Sequence, residues 1–378
     1  MRPIQMVDLH SQYKRLQEHI DAAIKEVLES TTYINGPAVK LFQTQLEAYL
    51  SAKHVIPCAN GTDALQIAMM ALGLKPGDEV IVPAFTYVAT AEVAALLGLT
   101  VVMVDCDPAT FNVTAAHIEP AITEKTKEIV PVHLFGQSCD MGPIMELAKR
   151  YGLYVIEDNA QAIGSDYIFD DDSTIKTGTI GHIGCTSFYP SKNLGAYGDG
   201  GAIFCQDDTI AASLRMIANH GQNRRYYHDV IGCNSRLDSI QAALLEVKLR
   251  HLDAFATARQ EVAAYYDKAL GRISGLTIPA RQYNSTHVFH QYTLQVPAEK
   301  RDALQEYLKE KDIPSMIYYP LPLYEQDAFK TSARKGIAAF PATEQLCKTV
   351  LSLPIHTEMD ETQLKYITGH IIAFFEQT

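Results

Sequence analysis

From residue 53 to residue 158, short apolar runs alternate with segments of helical period, and this alternation restricts the fold more than any other feature of the chain. "KHVIPCAN" reads as a strand and "TDALQIAMMALG" as a helix closed by Gly73. "DEVIVP" is a strand, "TYVATAEVAALLG" a helix closed by Gly98, and "TVVMVDCD" another strand. "TKEIVPVHLFG" repeats the strand signal, "GPIMELAKRYG" is a helix with Pro143 in its first turn and Gly152 at its end, and "LYVIED" is a short apolar strand. Glycine closes helices because it adopts the left-handed conformation without a Cβ clash, and proline is tolerated where the amide has no helical partner. Strands that are apolar throughout must be covered on both faces, which predicts an α/β domain with a mostly parallel sheet between helical layers. Ligands in such folds sit beyond the carboxyl ends of the strands. Asn60, Asp158 and Lys192 all fall at or just after such ends.

The 378 residues suit one large domain and a smaller one. From Ser235 to Leu270 there is neither glycine nor proline, which predicts one long helix bridging the two. "VFHQYTLQV" as a strand, "EKRDALQEYLKEKDI" as a helix, a proline-rich turn and a final helix then make a small α+β domain. The division expected is 1–250 for the large domain, including an N-terminal helical segment, and 251–378 for the small one. The acidic stretch 166–178, "DYIFDDDSTIKTG", is expected to be a solvated loop.

Charge and cysteine content narrow the function. A formal net charge of -12 repels nucleic acid and anionic membrane as a whole, so an anionic ligand must be held by a local site. Seven scattered cysteines without CxxC spacing argue against a disulfide framework or a zinc knuckle and for a reducing compartment. The N-terminus has no apolar core of a signal peptide, and "VAALLGLTVVMV" is too short to span a bilayer, so a soluble, cytoplasmic protein is expected.

In "CANGTDALQIA" a strand turns into a helix at Gly61 and Thr62, where backbone amides and a hydroxyl can cradle an anion; as a plain alternative, Asn60 or Thr62 caps the helix. No GxxxxGK[ST], GxGxxG or GxSxG occurs, so a P-loop, a dinucleotide fingerprint and a nucleophile elbow are unsupported. "HVFH" at 287–290 has the look of a metal pair, but on a strand residues three apart face opposite ways, and no metal site is expected. An anion cradle at a helix start, an acid at a strand end and Lys192 in the tight turn of "TSFYPSKNLGAYGDGGAIF" are together the anchors of pyridoxal phosphate: donors for its phosphate, a carboxylate for its ring nitrogen and an amine for its aldehyde.

The stretches "ANGTDAL", "PAFTYVATAEV", "EDNAQAIG", "TSFYPSKNLG", "GDGGAIF", "NHGQNRRYYH", "NSRLDSIQAA" and "YYPLPL" resemble, in order, the sugar-nucleotide aminotransferases among the fold-type I pyridoxal-phosphate enzymes. The resemblance runs from about residue 4 to residue 370 and implies the aspartate-aminotransferase-like fold. It implies that Lys192 forms the Schiff base and shuttles the proton, that Asp158 pairs with the ring nitrogen, that Gln161 meets the ring hydroxyl and that Tyr87 stacks on the ring. Gly61, Thr62 and Ser187 would hold the phosphate, with Asn234 reaching it from the partner subunit of an obligate homodimer. Arg236, Tyr318 and Tyr319 match positions used near the substrate. Two departures stand out: Tyr318-Tyr319-Pro320 replaces the common His-Tyr-Pro, and His182 occupies a position where aspartate is common, after a longer acidic stretch. The implied reaction moves an amino group from L-glutamate to a keto-sugar nucleotide. The text is most similar to enzymes that aminate UDP-2-acetamido-2-deoxy-3-oxo-glucuronate for surface polysaccharide synthesis, with Arg224, Arg225, His228 and Arg236 as a local cluster for a carboxylate or diphosphate. Alternatives are a 4-keto-6-deoxy sugar-nucleotide substrate, glutamine as donor, a cofactor-dependent sugar dehydratase, against which Lys192 argues because such relatives carry histidine there, and a catalytically silent regulator.

Overall fold

The computed structural model describes residues 1–331, 333–336 and 339–377. Its centre is an eight-stranded sheet in the order His54–Cys58, Gly201–Cys205, Ile183–Ser187, Tyr154–Asp158, Thr126–Ile129, Glu79–Pro83, Thr100–Val104 and Ala333–Lys335. Gly201–Cys205 runs antiparallel to both neighbours, and every other pairing is parallel. Side chains alternate between the faces as the pleat requires. Val80, Val82, Val101, Met103 and Ile156 join one buried cluster with the helices Gly61–Ala71, Ala89–Leu96 and Asp208–Ala218. Ile81, Val102, Val104, Ile129 and Val155 join another with the helix Met141–Tyr151. At the far end of the sheet Val55, Ala202 and Phe204 pack beneath the helices Leu9–Ser30, Pro37–Leu50 and Ser239–Leu249. Each fully buried Val, Leu or Ile contributes about 1.5–3 kcal/mol, which is why these runs carry no polar face.

The glycine stops behave as expected: Gly73, Gly98 and Gly152 all have positive φ just beyond their helices. Helix Met141–Tyr151 ends with Gly152 in the left-handed conformation and with its amide bonded back to the last turn.

Three local expectations are corrected. The segment 235–270 is not one helix but two, Ser239–Leu249 and Leu252–Leu270, joined at Arg250 and His251. The first is buried along nearly its whole length beneath the N-terminal helices, whereas the second packs Val262, Tyr266 and Leu270 into a different core. Leu252 and Phe255 still pack with the first helix, so the break falls before the change of core, and neither glycine nor proline marks it. The stretch 166–178 is a hairpin, Asp166–Ile168 against Thr174–Lys176, rather than a loop. Asp166 pairs with Lys176 at 2.8 Å, and the buried Tyr167 donates its hydroxyl to Asp140 at 2.6 Å. Finally, residues 287–290 precede the strand, which runs Tyr292–Gln295, and Phe289 has a φ of 46°. The strand argument for opposed histidines therefore does not apply; both side chains are buried beside Phe135 and Gly136.

Tyr292–Gln295 pairs with Val350–Leu353 above the helices Leu252–Leu270, Ala298–Glu310 and Glu361–Gln377, which share a separate core. Between these elements the chain crosses back: Ala333–Lys335 adds to the edge of the large sheet, and Arg334 donates to both oxygens of Glu79, at 3.1 and 2.9 Å. No helix among the described residues is long and apolar enough to cross a membrane.

Candidate active site

The strand Tyr154–Asp158 ends in two acids, and the pleat sends them to opposite faces. Glu157 is fully buried and used up by structure: it accepts the amides of Gly178, Ile180 and Gly181 at 2.8, 2.7 and 2.5 Å and meets His133 Nε2 at 2.8 Å. His133 Nδ1 accepts the amide of Cys139, which leaves the proton on Nε2, facing Glu157. Asp158 points the other way. Its Oδ2 accepts the Thr90 hydroxyl at 2.7 Å, and Oδ1 accepts the Ala160 amide at 3.2 Å. Thr90 lies at the start of helix Ala89–Leu96, so a helix from one crossover fixes an acid at the end of another strand.

Lys192 follows Ile183–Ser187 in a tight turn, its amide bonded to Tyr189 O at 2.8 Å. Its side chain is half-buried. Burial lowers the amine to about 8, against the opposing pull of the Asp158 charge. An amine so placed holds an appreciable unprotonated, nucleophilic fraction near neutral pH.

Aromatic and amide groups close the space around this pair. Gln161 Oε1 accepts the Phe135 amide at 2.7 Å, and Nε2 donates to the Tyr319 hydroxyl at 3.3 Å. The Tyr319 ring lies 6.3 Å from that of Tyr87 and 6.0 Å from that of Phe85. Burial raises both Tyr318 and Tyr319 above the ordinary phenol value, so both hydroxyls stay neutral donors.

The helix start at Gly61 abuts the end of strand Ile183–Ser187. A Cβ on Gly61 would stand 2.8 Å from Ser187 Cβ, and one on Gly201 would stand 2.5 Å from the Asn60 carbonyl. Asn60 does cap the helix, accepting the Asp63 amide at 2.8 Å. That occupies one of the first-turn donors of a helix start, the kind of place where anions bind, and Ser187 Oγ beside it accepts the Tyr189 amide at 3.2 Å. The adjacent Ala59 amide is taken by Ser235 Oγ at 3.0 Å.

The structure thus gathers Lys192, Asp158, Gln161, Tyr319 and Tyr87, with Gly61 against Ser187. Tyr318, half-buried with its ring 6.0 Å from that of Tyr319, and Thr62, next to Gly61, belong to the same group; the other candidates lie nearer the chain's surface. Asn234 is exposed, and Arg236, two residues on, is half-buried. Arg224 and Arg225 sit on the exposed hairpin Gln222–Arg224/Tyr227–His228, each with its guanidinium on a tyrosine ring: Arg224 at 3.6 Å from the Tyr227 centroid, Arg225 at 5.1 Å from that of Tyr226. His228 is held by the carbonyl of His220 through Nδ1 at 2.8 Å. Thr90 and the His133–Glu157 pair carry no sequence signal, since each acts across a crossover. His290, read in the sequence only as half of a rejected metal pair, is buried, and burial together with the Lys192 and Arg259 charges holds its imidazole well below the usual range.

Comparison with known proteins agrees with this geometry. The chain is 46% identical to a pleiotropic regulatory protein of Geobacillus stearothermophilus over 98% of both chains. It is 45% identical to a UDP-2-acetamido-2-deoxy-3-oxo-D-glucuronate aminotransferase of Pseudomonas aeruginosa, covering 96% of this chain and 98% of that one. Among solved structures it resembles NtdA of Bacillus subtilis with bound cofactor PMP, with a TM-score of 0.87 and 31% identity, covering 95% of this chain and 82% of that one. The family model for the DegT/DnrJ/EryC1/StrS aminotransferases matches residues 14–372, and the chain belongs to that family.

Proposed function

We propose that this aminotransferase uses pyridoxal phosphate to move an amino group from L-glutamate to a keto-sugar nucleotide, with UDP-2-acetamido-2-deoxy-3-oxo-glucuronate as the acceptor. The observation that carries the reading is the buried Asp158 carboxylate, held by Thr90 at 2.7 Å, on a strand paired with the one whose following turn carries Lys192. The residues fit the cofactor. Gly61, Thr62 and Ser187 offer amides and hydroxyls to a phosphate where backbone segments meet too closely for a Cβ. Asp158 offers a carboxylate to a ring nitrogen, and Tyr87 and Gln161 border the space between. When bound, pyridoxal phosphate supplies an aldehyde that exchanges amines and a protonated ring that withdraws electrons from the reacting carbon.

The chain's own residues do the rest. Lys192 presents an amine that is easily deprotonated; it would hold the cofactor through its aldehyde and, when free, would act as general base and then general acid, moving a proton between the substrate carbon and the cofactor carbon. Asp158, held on both oxygens by Thr90 and Ala160, cannot swing away as charge develops opposite it. Tyr319, fixed by Gln161, and Tyr87 narrow the access of water.

The acceptor assignment draws support from the Pseudomonas aeruginosa relative and from the Arg224, Arg225, His228 and Arg236 stretch, whose forks suit a carboxylate or diphosphate. These groups would serve a partner's site, in a homodimer that also supplies Asn234. Tyr226, Tyr227, Val230 and Ile231, all exposed within a few residues of them, favour that arrangement, since a run of apolar side chains in water marks an interaction surface. A regulatory role, as in the name of the Geobacillus stearothermophilus relative, is the second reading; the presence of both Lys192 and Asp158 favours catalysis. Purified enzyme is to be assayed with glutamate against 3-keto and 4-keto UDP- and dTDP-sugars. Fastest amination of the 3-keto uronate is expected, and Lys192→Ala should lose on the order of a hundred- to ten-thousand-fold in turnover. Faster amination of a neutral 4-keto sugar overturns the acceptor, and near wild-type turnover by Lys192→Ala overturns the mechanism.

A further inference from the structure

Lys248 is a lysine in an unusual place. It lies near the end of helix Ser239–Leu249, only 1% exposed, and its Nζ donates to the carbonyl of Gly195 at 2.7 Å while standing 4.4 Å from the centroid of the Tyr197 ring. An ammonium has three donors and is strongly hydrated, so burying one against a single carbonyl and a ring face is costly unless the contact serves something. Burial lowers the amine to about 7. Two turns earlier on the same helix, Gln241 Oε1 accepts the amide of Tyr197 at 2.9 Å. Residues seven apart share a helix face, so Gln241 and Lys248 grip one stretch of chain, at Tyr197 and at Gly195.

That stretch begins three residues after Lys192. It is wound tightly: Ala196 N donates to Phe188 O at 2.7 Å, and a Cβ on Gly195 would come within 2.2 Å of Pro190 O. The turn Tyr189–Lys192 and the return at 195–197 are therefore one compact loop, held on its inner side by its own backbone and on its outer side by the helix. The same helical segment is continuous with Ser235, whose hydroxyl takes the Ala59 amide next to the helix start at Gly61.

We propose that Lys248 is a positioning residue for the transfer reaction: through the Gly195 carbonyl and the Tyr197 ring it fixes the loop that carries Lys192, with Gln241 as the second point of the grip. The reactive side chain must swing between two carbons, and it can do so reproducibly only from a backbone that does not move. The inference rests on the assignment of Lys192 to the chemistry, which is tested separately by Lys192→Ala.

The test compares Lys248→Met, which keeps an unbranched apolar chain one atom shorter and removes the donors, and Gln241→Met, at a less buried position, with the wild type. Steady-state kinetics of the cofactor-loaded enzyme are read alongside amide hydrogen exchange with and without cofactor. In each variant that folds, kcat per folded molecule should fall about ten- to a hundredfold, as for a small displacement of a reacting group. KM for glutamate should stay within about twofold, because the donor's contacts are untouched. Amides at 193–197 should exchange faster than in the wild type while those of the strands Tyr154–Asp158 and Ile183–Ser187 do not. Should Lys248→Met fail to fold, Gln241→Met decides alone. An unchanged kcat, or unchanged exchange at 193–197, overturns the proposal, since a merely structural lysine would lower the melting temperature and alter neither.

Discussion

Glu157 and Asp158 are neighbours with the same charge, and what separates a structural acid from a functional one is the face of the strand each occupies. Glu157 is saturated by three amides and a histidine; Asp158 keeps its carboxylate toward Lys192. Asp158→Asn preserves the shape and removes the charge. It should leave the melting temperature close to that of the wild type and slow the glutamate half-reaction by on the order of a hundred- to a thousandfold, as for loss of a preorganised electrostatic group. Stopped-flow absorbance beside a thermal melt checks this, and a fall in melting temperature with intact turnover would reduce Asp158 to a capping residue. Elsewhere a carboxyl works against the fold. Glu128 is fully buried in the strand Thr126–Ile129, and neither oxygen has a hydrogen-bond partner among the described residues. Burial raises it well above the ordinary carboxylate value. The folded state thus holds a proton that the unfolded chain has lost above about pH 4.3, and the penalty grows as pH rises toward the folded value. Glu128→Met should stabilise the protein by about 1–3 kcal/mol at pH 8 and by less at pH 5. Urea titrations at the two pH values check the sign; an equal gain at both would show that the proton plays no part.

At the scale of elements, the site is a set of junctions rather than a set of strands. One tight junction joins the start of helix Gly61–Ala71 to the end of strand Ile183–Ser187, where a Cβ on Gly61 would crowd Ser187. Gly61→Ala should push the two apart, costing about 1–3 kcal/mol of stability by overpacking, and weaken the affinity for pyridoxal phosphate more than for free pyridoxal. Melting curves and equilibrium dialysis read the two effects; equal weakening of both ligands would move the phosphate elsewhere. Legibility follows the same line. The strands and helices from residue 53 to 158 could be read because their signals are local: period, glycine stops, a capping asparagine. So could Lys192, Asp158 and Gly61, because they lie at ends of such elements. The break at Arg250 and His251 could not, since neither glycine nor proline marks it and the residues on both sides share one core. The hairpin at 166–178 depends on Tyr167 finding Asp140, and the turn at 287–290 on Phe289 taking a positive φ. Lys248 reads in sequence as an ordinary helical lysine, and only the fold turns it inward.

For the whole molecule, the proposed exchange of residues between subunits makes a strong claim. A Lys192→Ala chain mixed with an Asn234→Ala chain should regain activity, because one of the two mixed sites then has both residues intact. Subunit exchange verified by mass, followed by assay, checks it; no recovery would place Asn234 in the service of its own subunit. The return of Ala333–Lys335 to the large sheet has a consequence for the order of synthesis. Thr100–Val104, with four of its five residues buried, closes its outer edge only against a strand made more than two hundred residues later, and Glu79 gains the Arg334 fork at the same moment. Until the ribosome has released that segment, the nascent chain carries an unpaired apolar edge, open to pairing with other strands for much of the time of translation.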